Sequence, residues 1–510
     1  MTIKLQHKTN NTRRAKILNL NIDDLLGIHK KLIMDPVHGG IPLLNHEVAI
    51  IDHPLFQRLR YICQNDILSL VFPGATHSRF LHSIGVMHVG GRMFRAMVEN
   101  SLKHKPEVKK EITTDTLNAI SFFNQLVRNA CLLHDVGHSS FSHQFNRTPT
   151  IKKALAASGR FEKLWKGIDF KEYYNETPDQ LEHEHFSVRA AWQILNDIDE
   201  DSMNLPMNDI LSLMETVAIA PSETFMFHAG HLWPLIQPSS IKENASLDSL
   251  KPPSDLATKL QHVLSSIVSG ELDADRADYM LRDGFHSSVT IGGFNLDHLL
   301  SNLHFGWCDQ TNWFGLAIGE KSLSSLEDFV YSRHQMYRQV YAHKTAQGFD
   351  WLLRAAIDEV MHQKENVEFV DLCLSDINQF KHLTDSYFWE AFRQLAIRQP
   401  LSYAHCILER IKMRHIATKE NLSELEERHY LAFLAKEQPC QVTDIIASSI
   451  TARFTKIKAD YSEMKVRITS RKNSDPIFKA ISQTSQFFSK FNDEKITHFY
   501  IDPLTLLAKQ

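Results

Sequence analysis

Two long stretches without proline, Phe80 to Asn100 and Asn118 to His134, are apolar through most of their length, and the second runs into Leu132-Leu133-His134-Asp135-Val136-Gly137-His138. Such stretches read as buried or strongly amphipathic helices. A carboxylate at the end of one is costly, because an ionised Asp loses several kcal/mol of solvation on burial unless it is paired or bound to a cation. His134-Asp135 therefore asks for a positive partner. A divalent metal would satisfy both side chains, and a self-contained His–Asp hydrogen bond capping the helix is the plainer alternative.

Two further residues shift that balance toward metal: His82, in His77-Ser78-Arg79-Phe80-Leu81-His82-Ser83, and Asp275, in Leu272-Asp273-Ala274-Asp275-Arg276-Ala277-Asp278-Tyr279. Two imidazoles and two carboxylates suit Mn, Fe, Zn or Mg better than a soft-metal site, and they leave open positions for water and phosphate.

Only 19 of the 510 residues are Gly, which suits long helices, and the expected fold class is mainly α. Helices are expected over Pro54 to Gln64, with Asp52 as N-cap and Pro54 in the first turn, over Leu256 to Asp283 and over Ser322 to Lys364. Thr148 to Leu181 and Pro234 to Pro253 lose periodicity and read as loops or insertions. Short strands are expected at Phe314 to Ile318 and Val466 to Thr469. The organisation expected is an N-terminal arm over 1–30, a core over 31–350, and a mostly helical regulatory or oligomerisation region over 351–510 with a few short strands. Basic clusters fall at Arg410 to Arg414 and Lys456 to Lys472.

Composition excludes several classes. With 43% hydrophobic and 23% charged residues the chain is neither disordered nor fibrous. A net charge of -4 gives no global nucleic-acid footprint. The six cysteines are scattered without a CxxC pair, which speaks against a thiolate site or disulfide framework and fits a reducing cytoplasm. No signal-peptide core or membrane-length apolar run appears, so no membrane association is expected.

The motifs Asp35-Pro36-Val37-His38-Gly39, Phe56-Gln57-Arg58-Leu59-Arg60-Tyr61-Ile62, Val71-Phe72-Pro73-Gly74-Ala75, Arg79-Phe80-Leu81-His82-Ser83, His134-Asp135-Val136-Gly137-His138 and Phe141-Ser142-His143 occur in this order. In them the chain resembles the HD-domain phosphohydrolases. It is most similar to deoxynucleoside triphosphate triphosphohydrolases of the animal type, without their sterile-alpha-motif domain. The likeness runs from Lys31 to Lys344 and weakly to Thr418. It implies an HD-domain helical core and hydrolysis of a dNTP to deoxynucleoside and inorganic triphosphate. The metal is expected on His82, His134, Asp135 and Asp275, with Mg arriving on the nucleotide.

The resemblance also places His138, His143 and the His183-Glu184 pair at the triphosphate. A nucleotide 5′ oxygen leaves more readily when a nearby imidazole protonates it, and an adjacent carboxylate orients that imidazole. His183 is the general-acid candidate, Glu184 its partner and His143 its competitor; a solvated loop is the plainer reading of these residues alone. Arg79 reads as a phosphate clamp. Tyr279, Arg282 and Asp283 follow Asp275 at helical spacing, and by resemblance Asp283 takes the 3′ hydroxyl. Arg333, Tyr337, Tyr341 and Lys344 place cations and rings on one helix side, with Tyr341 against the sugar's 2′ position. Gln64 and Asn65 should lie over the same sugar, although Asn65 replaces a Leu of the animal enzyme.

An activating nucleotide site is implied by Lys31, Asp52, Gln57, Arg60, Lys321 and Arg414, while Met34, Asn295 and Thr418 depart from the pattern. Such sites lie between subunits, so a homo-oligomer is expected. Two other readings stay open: an HD-type phosphodiesterase or nuclease on a cyclic nucleotide or single-stranded nucleic acid, and a nucleotide sensor without catalysis.

Overall fold

The computed structural model describes residues 31–104, 112–198, 203, 205–214, 217–237, 254–308, 312–438, 440–452, 464–469, 476–488 and 493–508. The expected arm over 1–30, basic residues Lys456 and Lys472, and most of Pro234 to Pro253 lie outside these. The fold is mainly α, as expected.

A hairpin of β1 (Lys31–Asp35) and β2 (Gly39–Leu43) opens the described chain, and α1 (Asn45–Asp52) follows. The helix expected over Pro54 to Gln64 is a single α-turn, α2 (Pro54–Gln57), continued as a 3-10 turn over Arg58–Tyr61. Its N-cap is His53, whose Nδ1 accepts the Leu55 N–H at 3.2 Å, rather than Asp52. Asp52 instead ends α1, because the extended backbone of His53 makes a corner between the two helices.

The two apolar stretches are α3 (Arg79–His104) and α4 (Thr114–Leu133), packed along each other. Thr113 caps α4 by accepting the Thr116 N–H, and Asp115 in the first turn complements the helix dipole. The helices approach closely at Gly90, where a Cβ would stand 2.4 Å from Cys131 Sγ. After His134 come α5 (Ser142–Arg147) and, within the segment expected as loop, short helices Pro149–Leu155 and Arg160–Leu164. Their aperiodic sequence still buries Ile151, Leu155, Phe161, Leu164 and Trp165, so packing overrides weak local pattern.

Beyond α6 (His183–Asp197), the helix expected over Leu256 to Asp283 is two, α7 (Leu256–Val268) and α8 (Ala274–Ser287). The break is built by Asp273, which caps α8 by accepting the Arg276 N–H at 2.8 Å while pairing with the Arg276 guanidinium. The stretch Ser322 to Lys364 is likewise interrupted: α9 (Leu323–Met336) passes into a π-helical turn over Tyr337–Tyr341, and α10 (Lys344–Val360) begins afresh with His343 as its cap. Before it, β3 (Leu303–Cys308) and β4 (Trp313–Gly319) form a hairpin that includes the expected strand at Phe314 to Ile318.

The C-terminal part starts with helices that include α11 (Asp385–Arg398), then adds strands. An antiparallel sheet is ordered β5 (Arg414–Glu420), β9 (Glu494–Ile501), β6 (Ile445–Ala452), and α12 (Glu424–Glu437) leans on it through Tyr430 against Phe499. The expected strand at Val466 to Thr469 is β7 (Lys465–Ile468), which pairs in parallel with β4 and antiparallel with β8 (Ile477–Ala480). No described helix is long and apolar enough to cross a membrane.

Candidate active site

Four side chains from three places in the chain converge where α3, α4 and α8 meet. His82 lies on α3, His134 and Asp135 follow α4 directly, and Asp275 is in the first turn of α8. His82 Nε2 stands 3.1 Å from Asp275 Oδ1 and 3.7 Å from Asp135 Oδ2; His134 Nε2 stands 3.4 Å from Asp135 Oδ1 and 3.7 Å from Asp275 Oδ1. The outer ring nitrogens are held. His82 Nδ1 donates to Asp278 Oδ2 at 2.8 Å, and His134 Nδ1 to the Cys131 carbonyl at 2.7 Å. Both Nε2 atoms thereby face the two carboxylates.

These atoms fit a cation. The Nε2 atoms of His82 and His134 are buried and make no hydrogen bond of acceptable geometry. Two unbonded imidazole Nε2 atoms with three carboxylate oxygens within 4 Å of one or the other form a hard, mixed N/O donor set, and each ring is oriented by an outer partner as metal-ligating histidines are. Electrostatics agree. Burial works to raise the Asp135 carboxyl, but His134, His138 and Arg79 outweigh it and hold it well below the usual range. Burial would lower His82, but Asp275 and Asp278 outweigh it and raise the ring to about 10, so the pocket draws positive charge, a proton or a cation, to that nitrogen.

A histidine group borders this cluster. His138 Nε2 is 3.4 Å from Asp135 Oδ1; the His138 ring stacks on His183 with centroids 4.0 Å apart, and His143 meets both rings edge-on at 5.1 and 5.3 Å. Burial, then Arg79 and His183, push the buried His138 well below its ordinary value, so it is neutral here. His183 Nδ1 lies 3.2 Å from Glu184 Oε2.

The residues expected at the sugar also assemble. Asp283 accepts from Tyr341 Oη and from His77 Nε2, the latter at 2.8 Å. Arg333 Nε donates to Tyr279 Oη at 3.3 Å and the guanidinium lies 4.9 Å from the Tyr337 ring centroid, which is 5.1 Å from that of Tyr341. Gln64 donates its backbone N–H to the His77 carbonyl at 3.0 Å, while Gln64 Oε1 and Asn65 Nδ2 are buried without a hydrogen-bond partner among the described residues.

Several of the expected residues also make contacts within the protein. Arg79 donates to Asp135 and, at 2.7 Å, to Ser142 Oγ, so it steadies a candidate ligand. The Arg282 guanidinium is fully buried in ion pairs with Asp278 and Asp35. Lys344 opens α10 near His343, His415 and His498, on the side of the C-terminal sheet. Of the implied activator residues, Lys31 meets Asp52 at 3.4 Å, and Arg60 donates to Gln57 Oε1 at 2.7 Å while covering the Phe80 ring. Lys321 and Arg414 are exposed on other elements, and among the described residues no hydrogen bond or ion pair joins them to this group.

The sequence reading missed Asp278, His77, Ser142 and Asp385. Asp278 was findable, since it sits between Asp275 and Arg282 on one helix. Asp385 accepts the N–H groups of Cys63 at 2.8 Å and Phe141 at 2.7 Å, a junction of three distant segments that leaves no local signature.

No family model matches the chain. Its backbone superposes on the crystal structure of a hypothetical protein from Aquifex aeolicus with a TM-score of 0.59 at 21% identity, covering 94% of this chain and 98% of that one. A phosphohydrolase from Bacteroides thetaiotaomicron gives 0.57 at 21% identity, covering 92% and 99%. These likenesses establish the class of fold. In sequence, the chain is similar to deoxynucleoside triphosphate triphosphohydrolase SAMHD1: 28% identical to the Homo sapiens protein over 416 residues, 79% of this chain and 57% of that protein, and 27% identical to the Bos taurus protein over 414 residues, 79% and 60%. The resemblance to HD-domain triphosphohydrolases read from the motifs is thus borne out. The chain spans about three fifths of the length of those relatives.

Proposed function

We propose that the protein hydrolyses deoxynucleoside triphosphates to deoxynucleoside and inorganic triphosphate. The observation that carries this reading is the convergence of His82, His134, Asp135 and Asp275, with the His138-His143-His183 group on one flank. A divalent cation held by those four residues would polarise a phosphoryl oxygen and lower the pKa of an attacking water. The metal could be Mn, Fe, Zn or Mg, with a further Mg on the nucleotide.

The chain's own groups then divide the remaining work. Arg79 keeps Asp135 oriented toward the cluster. His138 and His143 offer ring N–H groups to the triphosphate, and Arg333 adds a cation on the sugar side. His183, oriented by Glu184, gives its proton to the departing 5′ oxygen. Asp283, already an acceptor for Tyr341 and His77, accepts the 3′ hydroxyl, and the Tyr341 ring crowds the 2′ position. Arg79, His138, Arg333 and Lys344 together neutralise phosphate charge, Lys344 being the most remote by its neighbours. The intact acid candidates favour catalysis over a pure sensor, and the sugar-side acceptor favours a nucleotide over a polynucleotide. Activation through Lys31, Asp52, Gln57, Arg60, Lys321 and Arg414 would need a second subunit to complete the site. The six free cysteines fit a reducing, cytoplasmic setting.

Incubating the Mn-loaded protein with each dNTP and separating the products tests the reading. Deoxynucleoside with inorganic triphosphate is expected. Monophosphate with diphosphate, or turnover of an oligonucleotide alone, would overturn it.

A further inference from the structure

Asp278 lies one turn beyond Asp275 on α8, with its side chain 0% exposed. Its two oxygens serve three partners. Oδ2 accepts from His82 Nδ1 at 2.8 Å, Oδ1 accepts from His38 Nε2 at 2.6 Å, and Arg282 donates to both, from Nε at 2.8 Å and Nη2 at 2.9 Å. Arg282 Nη1 also donates to Asp35 Oδ2 at 2.8 Å. Asp35 in turn fixes the hairpin tip, accepting the N–H groups of Val37 and His38 on Oδ1, each at 2.8 Å. The β1–β2 turn is therefore joined, by three buried side chains in series, to the ring of a candidate metal ligand. Space for this network comes from Gly85, one turn after His82 on α3, where a Cβ would stand 2.0 Å from Asp278 Oδ1 and 2.3 Å from Arg282 Nη2.

Asp278 covers the Nδ1 side of His82, and Arg282 spans Asp278 and Asp35, so the carboxylate behind the ring is clamped from both sides in a fully buried position. A carboxylate on Nδ1 fixes the tautomer, holds the ring plane and makes the Nε2 lone pair a stronger donor. Neither effect requires the hairpin unless the hairpin seats the carboxylate, and His38 does so through the shortest of its four bonds.

We propose that Asp278 is the positioning carboxylate of His82, and that His38 extends this hold to the β1–β2 hairpin, so that the seating of the hairpin sets the cation affinity of the centre. The inference rests on reading His82, His134, Asp135 and Asp275 as cation ligands. It makes no use of which phosphoester is cleaved. It also gives the Asp35-Pro36-Val37-His38-Gly39 motif, which the substrate pocket does not use, a role at the centre.

The test is titration of the metal-free full-length protein with Mn²⁺, read by calorimetry, with thermal melting of the same samples. Asp278→Asn is expected to weaken Mn²⁺ binding about 10–100-fold, the usual effect of losing an outer partner. His38→Gln is expected to weaken it in the same direction by about 3–10-fold, a fraction of that outer-partner loss. Glu47→Gln breaks a comparably buried pair with Arg128, and among the described residues Glu47 makes no hydrogen bond to His38, Asp278 or His82, so the variant is expected to lower the melting temperature while leaving the Mn²⁺ Kd unchanged. The proposal is overturned if His38→Gln binds Mn²⁺ as wild type does, or if Glu47→Gln shifts the Kd as far as His38→Gln. Should Asp278→Asn not fold, the other two variants decide alone. Wild-type protein that binds Mn²⁺ yet releases no triphosphate from any dNTP would sink the proposed reaction and leave this inference standing.

Discussion

His82 Nε2 stands 3.1 Å from Asp275 Oδ1, although α4 to α7 intervene between their helices in the chain. The approach satisfies neither hydrogen-bond geometry nor solvent, since the nitrogen is buried and unbonded, and His134 Nε2 shares that condition. Each unsatisfied buried polar atom costs about 1–3 kcal/mol. A fold that keeps two of them beside two carboxylates is arranged for a cation, which would offset both costs at once.

Substituting Asp275→Asn therefore removes one of the cluster's two carboxylate charges and leaves a weak amide oxygen in its place. Metal content measured after dialysis should fall to background, and the rate of triphosphate release should drop at least about 100-fold, because the loss of a direct ligand exceeds the 10–100-fold effect of an outer one. Full metal content in this variant would contradict the ligand assignment.

His183 stacks on His138 and lies beside Glu184, the position expected of a proton donor whose ring is both supported and oriented. His183→Ala should lower kcat by about 10²–10⁴ with little change in KM. Glu184→Gln should cause a smaller loss of kcat. A rise in KM with kcat held would make His183 a phosphate contact and not the acid.

The cluster was legible in sequence for a physical reason: an Asp at the end of an apolar helix is expensive wherever it lies, so its partners could be sought among other His and Asp residues in apolar surroundings. Tertiary contacts hid the rest. Asp385 is unremarkable in Thr384-Asp385-Ser386 until Cys63 and Phe141 bring it their N–H groups. Helix breaks were missed where a side chain makes them, as Asp273 and Arg276 do before α8. The sheet of β5, β9 and β6 went unread although Ile496, His498 and Tyr500 alternate with Thr497, Phe499 and Ile501. Both sets are largely buried, which erases the polar alternation that marks a half-exposed strand.

Asp385 gives a pH dependence that can be measured. Burial raises its carboxyl to about 7 from an unfolded value of 3.8, despite the opposing N–H groups and Arg79 and Arg58. The folded state thus holds this proton longer than the unfolded chain. Its contribution is present below pH 3.8 and is lost as pH rises toward 7, at about 1.4 kcal/mol per pH unit. Urea unfolding at pH 5 and pH 7 should show a shallower pH slope for Asp385→Asn than for wild type. Equal slopes would mean that Asp385 is already ionised in the fold.

Tyr341 donates to Asp283, and its ring centroid lies 5.1 Å from that of Tyr337, at the end of the site proposed to hold the sugar. Tyr341→Ala opens the 2′ position. The ratio of kcat/KM for dATP over ATP should fall about 10–100-fold, within the range available to a steric pocket contact. An unchanged ratio would move sugar discrimination elsewhere.

The central claim, attack of water at the α-phosphorus beside the His82-His134-Asp135-Asp275 cluster, is tested most directly by dNTP hydrolysis in ¹⁸O-water. The label is predicted in the inorganic triphosphate, with an unlabelled deoxynucleoside, and the reaction should vanish with Asp135→Asn. Label in a nucleoside monophosphate, in orthophosphate or in the deoxynucleoside would contradict the account.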